Sequence, residues 1–183
     1  MTFPIHRLTL AVLATLSISA CAHEHGAHDH EHAAAAAEGT QHATEAVARL
    51  QPTVGSPTQG TIRFVHEGDQ IRIHGEVAGL EPNSDHGFHV HEKGDCSAPD
   101  ASSAGGHFNP TGKPHGKPGQ ADSHAGDMPE LVADAKGNVR QMDRLTGVSV
   151  NDFIGKSVII HAGRDDYKTQ PTGNSGARVA CGV

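Results

Sequence analysis

Three features of the sequence predict an all-β chain, with eight short antiparallel strands forming a sandwich or barrel. Apolar and polar residues alternate with period two over short segments. Gly-, Pro- and Asp-bearing turns separate those segments, and no stretch carries a convincing amphipathic helix. The 183 residues are enough for one domain plus accessories, and the composition is skewed: sixteen histidines against one tyrosine and no tryptophan. A formal net charge of −7 argues against nucleic acid or an anionic membrane surface as the main partner, so an anionic substrate needs a local positive feature.

The N-terminus reads as an export signal over residues 1–20. Arg7 gives the basic start, and Leu8 to Ala20 is an apolar run too short to span a bilayer as a helix. Its ending, Ile18-Ser19-Ala20-Cys21, resembles the lipobox of bacterial lipoproteins. That resemblance implies cleavage before Cys21, a lipid on its thiol and insertion in a lipid bilayer; an ordinary signal peptide cut nearby is the alternative. On either reading the mature protein leaves the cytoplasm, with the periplasm as the expected compartment. Ala22 after Cys21, where an aspartate is absent, points to an outer-membrane anchor. With Cys21 set aside, Cys96 and Cys181 remain, and an even pair in an oxidising compartment is expected to form a disulfide.

Residues 21–44 follow as the lipidated cysteine and a flexible tether. His23, His25, His28, His30 and His32 alternate with acids before an alanine run, without the apolar residues a core requires. These histidines either gather copper or zinc beside the domain or are incidental to a spacer.

The domain proper is expected over residues 45–183. Strands are predicted at Val47–Leu50, Gly60–Val65, Gln70–Ala78, Gly87–Glu92, Glu130–Asp134, Val139–Arg144, Ser157–Ala162 and Arg178–Val183. In the third, Ile71, Ile73 and Val77 share one face and Arg72, His74 and Glu76 the other, so His74 is expected to face solvent. His86 shares its side with Phe88 and Val90 and reads as a structural histidine at the rim.

Two segments interrupt this rhythm, Lys93–Pro129 and Gly163–Ala177. Ordering so long a loop costs on the order of 1–2 kcal/mol per residue, which its few apolar side chains do not offset. The first loop contains His107, His115, His124 and Asp127, a donor set suited to zinc, and a structural zinc contributes on the order of 10 kcal/mol to folding. A Cys96–Cys181 bond is a second clamp, worth about 4–5 kcal/mol in the chain-entropy model.

Just before that loop stands Gly87-Phe88-His89-Val90-His91-Glu92. Alternation sends His89 and His91 to one face and Phe88 and Val90 to the other. The pair is either a ready two-nitrogen chelate or two solvent-facing histidines on an edge strand.

Together these pieces identify a resemblance. Gly87–Glu92, Gly106-His107-Phe108-Asn109-Pro110, His124-Ala125-Gly126-Asp127-Met128-Pro129, Ile159-Ile160-His161-Ala162 and Gly173–Val183 occur in order and with compatible spacing. From about Glu45 to Val183 the chain resembles a Cu,Zn superoxide dismutase of the bacterial secreted type. This resemblance implies an eight-stranded Greek-key barrel with long metal-binding and electrostatic loops, an architecture for which this family is a standard example. It also implies one copper and one zinc ion per subunit. His89, His91, His107 and His161 resemble the copper ligands. His107, as a shared imidazolate, resembles a zinc ligand together with His115, His124 and Asp127. Asp165 resembles a carboxylate that links one ligand of each metal, and Arg178 the residue that docks superoxide beside copper. Lys168 is a candidate for steering the anion and Thr172 for the channel wall. His6, His42, His66, His74 and His86 have no ligand counterpart.

The activity so implied is disproportionation of superoxide to oxygen and hydrogen peroxide in the cell envelope, with Arg178 and His107 as catalytic residues. The alternative is a lipid-anchored copper- or zinc-binding or copper-delivery protein on the same scaffold; the intact ligand set and Arg178 favour the enzyme. A homodimer is compatible with the sequence, which does not specify the interface.

Overall fold

The computed structural model describes residues 42–183. The segment expected to be a signal peptide (1–20), Cys21 and the histidines His23 to His32 lie outside the described residues.

Nine strands appear in chain order among the described residues: β1 (Glu45–Pro52), β2 (Gln59–Glu67), β3 (Gln70–Ala78), β4 (Asp85–His86), β5 (Phe88–His91), β6 (Leu131–Val132), β7 (Val139–Thr146), β8 (Ser157–His161) and β9 (Arg178–Gly182). Seven form one antiparallel sheet, β5-β8-β9-β1-β2-β3-β7, curled into a half-barrel, and β4 pairs with β6. The eight predicted strands are all present. The ninth arises because pairing changes at Gly87: Asp85 and His86 pair with Val132 and Leu131, whereas Phe88 to His91 pair with Ile160 to Ser157.

Period-two burial explains the sheet. In β3, Ile71, Ile73 and Val77 are buried while Arg72, His74 and Glu76 keep exposure, as the pattern predicts. Leu50, Ile62, Phe64, Phe88, Val90 and Ile160 meet in the main core. The β2–β3 hairpin closes on Gly68-Asp69, with Gly68 at φ +69°, a conformation that costs glycine little.

One short helix, α1 (Val150–Phe153), departs from the all-strand expectation. The Ser149 backbone N–H donates to the Asp152 carboxylate at 2.7 Å and its hydroxyl donates at 2.9 Å, organising the first turn. The turn delivers Phe153 to the core, where its ring lies 5.0 Å from that of Phe64.

Long connections cross the half-barrel. The segment from Lys93 to Pro129 contains one 3-10 turn at Ser102–Ala104 and is held at several points. Cys96 and Cys181 form the expected disulfide, closing 85 residues of chain. Ala101 and Ala104 bury against Ile159 and Cys181 as a second, small core. The Phe108 N–H donates to the Val90 carbonyl, Gly126 N–H to Phe108, and Val90 N–H to Gly126, each at 2.8 Å. This ring of backbone bonds ties two distant parts of the loop to β5. Gly126 is required there, because a Cβ would collide with the Val90 carbonyl.

Candidate metal centre

The face of β5 opposite the core carries His89 and His91, and alternation along β8 brings His161 to the same side, after a register shift at Ile160/His161. The loop then lies over them. Single bridge pairs join His89 to Asp127 and His91 to His107, so the loop's own histidines are set down beside those of the strand. His89 and His91 are fully buried, and His107, His115, His124, Asp127 and His161 are nearly so. The reading of His89 and His91 as solvent-facing is therefore excluded.

Ligating atoms of His89, His91, His107 and His161 all lie within 4.8 Å of one another. In each ring one nitrogen has a partner. His89 Nε2 donates to Asp165 Oδ2 at 2.7 Å, His91 Nδ1 to the Gly105 carbonyl at 2.9 Å, and His161 Nδ1 to the Gly176 carbonyl at 3.2 Å. His107 Nδ1 faces Asp127 Oδ1 at 3.0 Å. The other nitrogen of each, His89 Nδ1 and the Nε2 atoms of His91, His107 and His161, is buried and has no hydrogen-bond partner. Carbonyl oxygens only accept, so the Nδ1 atoms of His91 and His161 carry the proton and each Nε2 presents a lone pair. Burial of such nitrogens without partners is costly, and one cation touched by all four resolves the cost.

A second set lies on the other side of His107. Asp127 Oδ2 accepts backbone N–H groups of Gly116 at 3.1 Å and His124 at 2.9 Å. Its Oδ1 is thereby turned toward Nδ1 of His107, His115 and His124, at 3.0, 2.9 and 3.3 Å. His124 Nδ1 lies 3.4 Å from His107 Nδ1. A tetrahedral ion with bonds of about 2.0–2.1 Å separates its ligands by roughly 3.3 Å, the spacing seen here. His89, His107, His115 and Asp127 also fall within 4.8 Å of one another. His124 is the better fourth member, because Asp165 already engages His89 Nε2 and the free His89 nitrogen belongs to the first set.

Asp165 joins the sets. Its Oδ2 accepts from His89 and its Oδ1 from His115 Nε2 at 2.9 Å. His115 thus lies between two carboxylates. Burial opposes its protonation, yet hydrogen bonds to Asp127 and Asp165 prevail and raise its pKa to about 9. Burial lowers His89 to about 4, His91 to about 2 and His161 to about 3, holding these rings neutral as ligands require. Asp127 and Asp165 resist their own burial because the histidines bond to them, and both sit well below the usual carboxylate range.

Arg178, at the start of β9, is half-buried beside the first set. Its guanidinium donates to the carbonyls of Ala101 and Gly105, both at 2.6 Å. Gly105 also accepts from His91, so one carbonyl positions both residues. Lys168 and Thr172 are exposed on the second loop.

Among the histidines without a ligand counterpart, His86 is buried, with Nδ1 at 2.8 Å from the His161 carbonyl and Nε2 at 2.7 Å from Ser84 Oγ, so it supports the backbone of His161. His42 Nδ1 accepts from Asn151 Nδ2 at 2.8 Å; His66 is exposed and His74 half-exposed. Two residues that the sequence did not single out, Glu130 and Tyr167, reach Asp165. Glu130 bonds the Asp165 backbone N–H from 35 residues away, whereas Tyr167 bonds its carboxylate from two residues on, a local turn contact.

Comparison with known proteins matches this geometry. A family model described as copper/zinc superoxide dismutase (SODC) fits residues 58–183. Superoxide dismutase (Cu-Zn) 2 of Aquifex aeolicus (strain VF5) is 40% identical over 138 residues, spanning 68% of this chain and 77% of that protein. The superoxide dismutase-like protein YojM of Bacillus subtilis (strain 168) is 40% identical over 133 residues, 68% of either chain. Among solved structures, the clock protein EA4 superposes with a TM-score of 0.71 at 36% identity, covering 79% of this chain and 96% of that one. With the fold, the disulfide and the two histidine sets, these matches place the chain in the Cu,Zn superoxide dismutase family.

Proposed function

We propose that the protein converts two superoxide anions and two protons to dioxygen and hydrogen peroxide. The observation that carries this reading is the convergence of four buried, unpartnered imidazole nitrogens beside an anchored arginine. His89 through Nδ1 and His91, His107 and His161 through Nε2 are the copper ligands. His107, His115 and His124 through Nδ1 and Asp127 through Oδ1 are the zinc ligands. When bound, copper supplies one-electron chemistry between its two oxidation states and zinc a fixed positive charge.

The chain's residues account for the rest. His107 has a nitrogen in each set, so its Nε2 is where a proton is held and released. Asp165 fixes the ring orientation of His89 and His115. Arg178 draws in the anion against the net charge of −7, a form of steering for which superoxide dismutases are themselves the usual example. Unlike a delivery protein, this chain combines a full set of copper donors with that arginine, which favours turnover.

The same reading takes the protein to the cell envelope, cleaved before Cys21 and held by a lipid there, most simply at the outer membrane. The lipobox-like ending and a disulfide suited to an oxidising compartment support it. A homodimer is the oligomeric reading, supported by exposed Ile154 and Val183 on one apolar groove. Metal analysis of the purified mature protein, combined with a dismutase assay, tests the function: one copper and one zinc per chain with rapid turnover is expected, and bound copper without turnover refutes it.

A further inference from the structure

Asp165 connects the two metal sets, and its own placement has to come from somewhere. Neither carboxylate oxygen meets a side chain of the loop on which it stands. The structure assigns that role to Glu130 and Tyr167, which we infer to be positioning residues that lock the second loop to the exit of the first and aim Asp165 at His89 and His115. This rests on the zinc and copper assignment above.

The lock is a closed circuit of three hydrogen bonds. Glu130 stands three residues beyond Asp127, where the chain leaves the metal-binding loop for β6. Its Oε1 accepts the Asp165 backbone N–H at 2.7 Å. Its own backbone N–H donates to the Tyr167 hydroxyl at 3.1 Å. Tyr167 in turn donates its backbone N–H to Asp165 Oδ1 at 2.8 Å, the oxygen that also accepts from His115. Tyr167 sits at φ +54°, a left-handed conformation uncommon for a side chain of that size. This backbone geometry accompanies the turn that points its N–H back at Asp165 while its ring reaches Glu130.

The Glu130 side chain is only 14% exposed, with the Arg164 guanidinium 3.9 Å away. A shielded carboxylate oxygen that accepts a backbone N–H at this distance makes a directional bond. It fixes the backbone of Asp165, while the Tyr167 N–H fixes the carboxylate rotation. Both residues act through Asp165 and neither touches a metal donor directly, so their effect belongs to the metals' relative placement.

Zinc affinity of the mature protein, measured by competition with a chromophoric chelator, and the electron paramagnetic resonance spectrum of bound copper form the test. Glu130→Ala is expected to weaken zinc binding about tenfold, the low end for loss of an outer-shell partner, and to shift the copper spectrum. Glu130→Gln keeps an oxygen acceptor for the Asp165 N–H and is expected to restore both within about twofold. Tyr167→Phe removes the acceptor for the Glu130 N–H and is expected to fall between them. A zinc affinity and copper spectrum unchanged in Glu130→Ala overturn the inference, as does a Glu130→Gln protein as impaired as Glu130→Ala, which assigns the effect to charge. Melting curves of the same variants detect a folding defect, and a variant that does not fold is replaced by Tyr167→Phe as the deciding protein. Wild-type protein that binds no zinc refutes the metal assignment instead, so the two failures are distinct.

Discussion

At the level of single residues, the state of each imidazole nitrogen determines what the centre can hold. His161 offers one of four buried lone pairs, and its Nδ1 is occupied by the Gly176 carbonyl. His161→Ala is expected to abolish dismutation while circular dichroism stays that of the wild type; retained activity refutes the copper assignment. Gly173 poses a sharper constraint. At φ +65°, a Cβ there would fall on Asp165 Oδ1 and on His115 Nε2. Gly173→Ala is expected to weaken zinc binding by about 10–100-fold, measured as zinc content after dialysis against a chelator. Protonation gives a third expectation, for metal-free protein. His89, His91 and His161 have folded pKa values below the ordinary 6.5, so the unfolded chain binds more protons and stability falls as pH drops from 6.5 toward about 2. His115 is raised to about 9, so its contribution is complete below 6.5 and is lost as pH rises through 9. Melting temperatures of chelator-treated protein should peak near pH 6.5, and a monotonic rise to pH 9 contradicts this.

At the level of elements, strands were legible in the sequence because burial alternates along them; β3 matches its predicted range at both ends. The metal-binding loop was legible only as an interruption. Its histidines announced themselves by type, but Ala101 and Ala104, which bury beneath Ile159 and the disulfide, look like ordinary loop alanines. The short helix α1 escaped because one turn carries no periodicity; Ser149 and Asp152, three residues apart, were the available signal. Tyr167 N–H meets the Asp165 carboxylate two residues back in a local turn, but Glu130 reaches both from 35 and 37 residues away, and local sequence is silent about that contact. The disulfide binds the loop to β9 only three residues after Arg178, and the carbonyls that hold Arg178 lie on that same loop. Replacing both Cys96 and Cys181 with alanine should therefore do two things. Stability should fall by up to about 4–5 kcal/mol, the chain-entropy value for this closure, read from denaturant melts. Activity per bound copper should also drop, because Ala101 and Gly105 lose their tether; unchanged activity per copper would separate the disulfide from the arginine.

For the molecule as a whole, the relevant question is how metal reaches the centre. Every proposed donor lies between His89 and His161, and the family match begins at residue 58. Residues 22–32 carry five histidines among acids and lie outside the described residues. The role proposed for them is loose capture of copper or zinc, with attachment to the same chain raising the local concentration of a captured ion. Capture alters the rate of loading and leaves the loaded enzyme as it was. Deleting Ala22 to His32 should therefore leave activity unchanged in cells given excess copper and lower it when copper is scarce, with copper content falling in parallel. If activity falls equally in excess copper, the segment contributes to the enzyme itself, and its histidines are more than a reservoir.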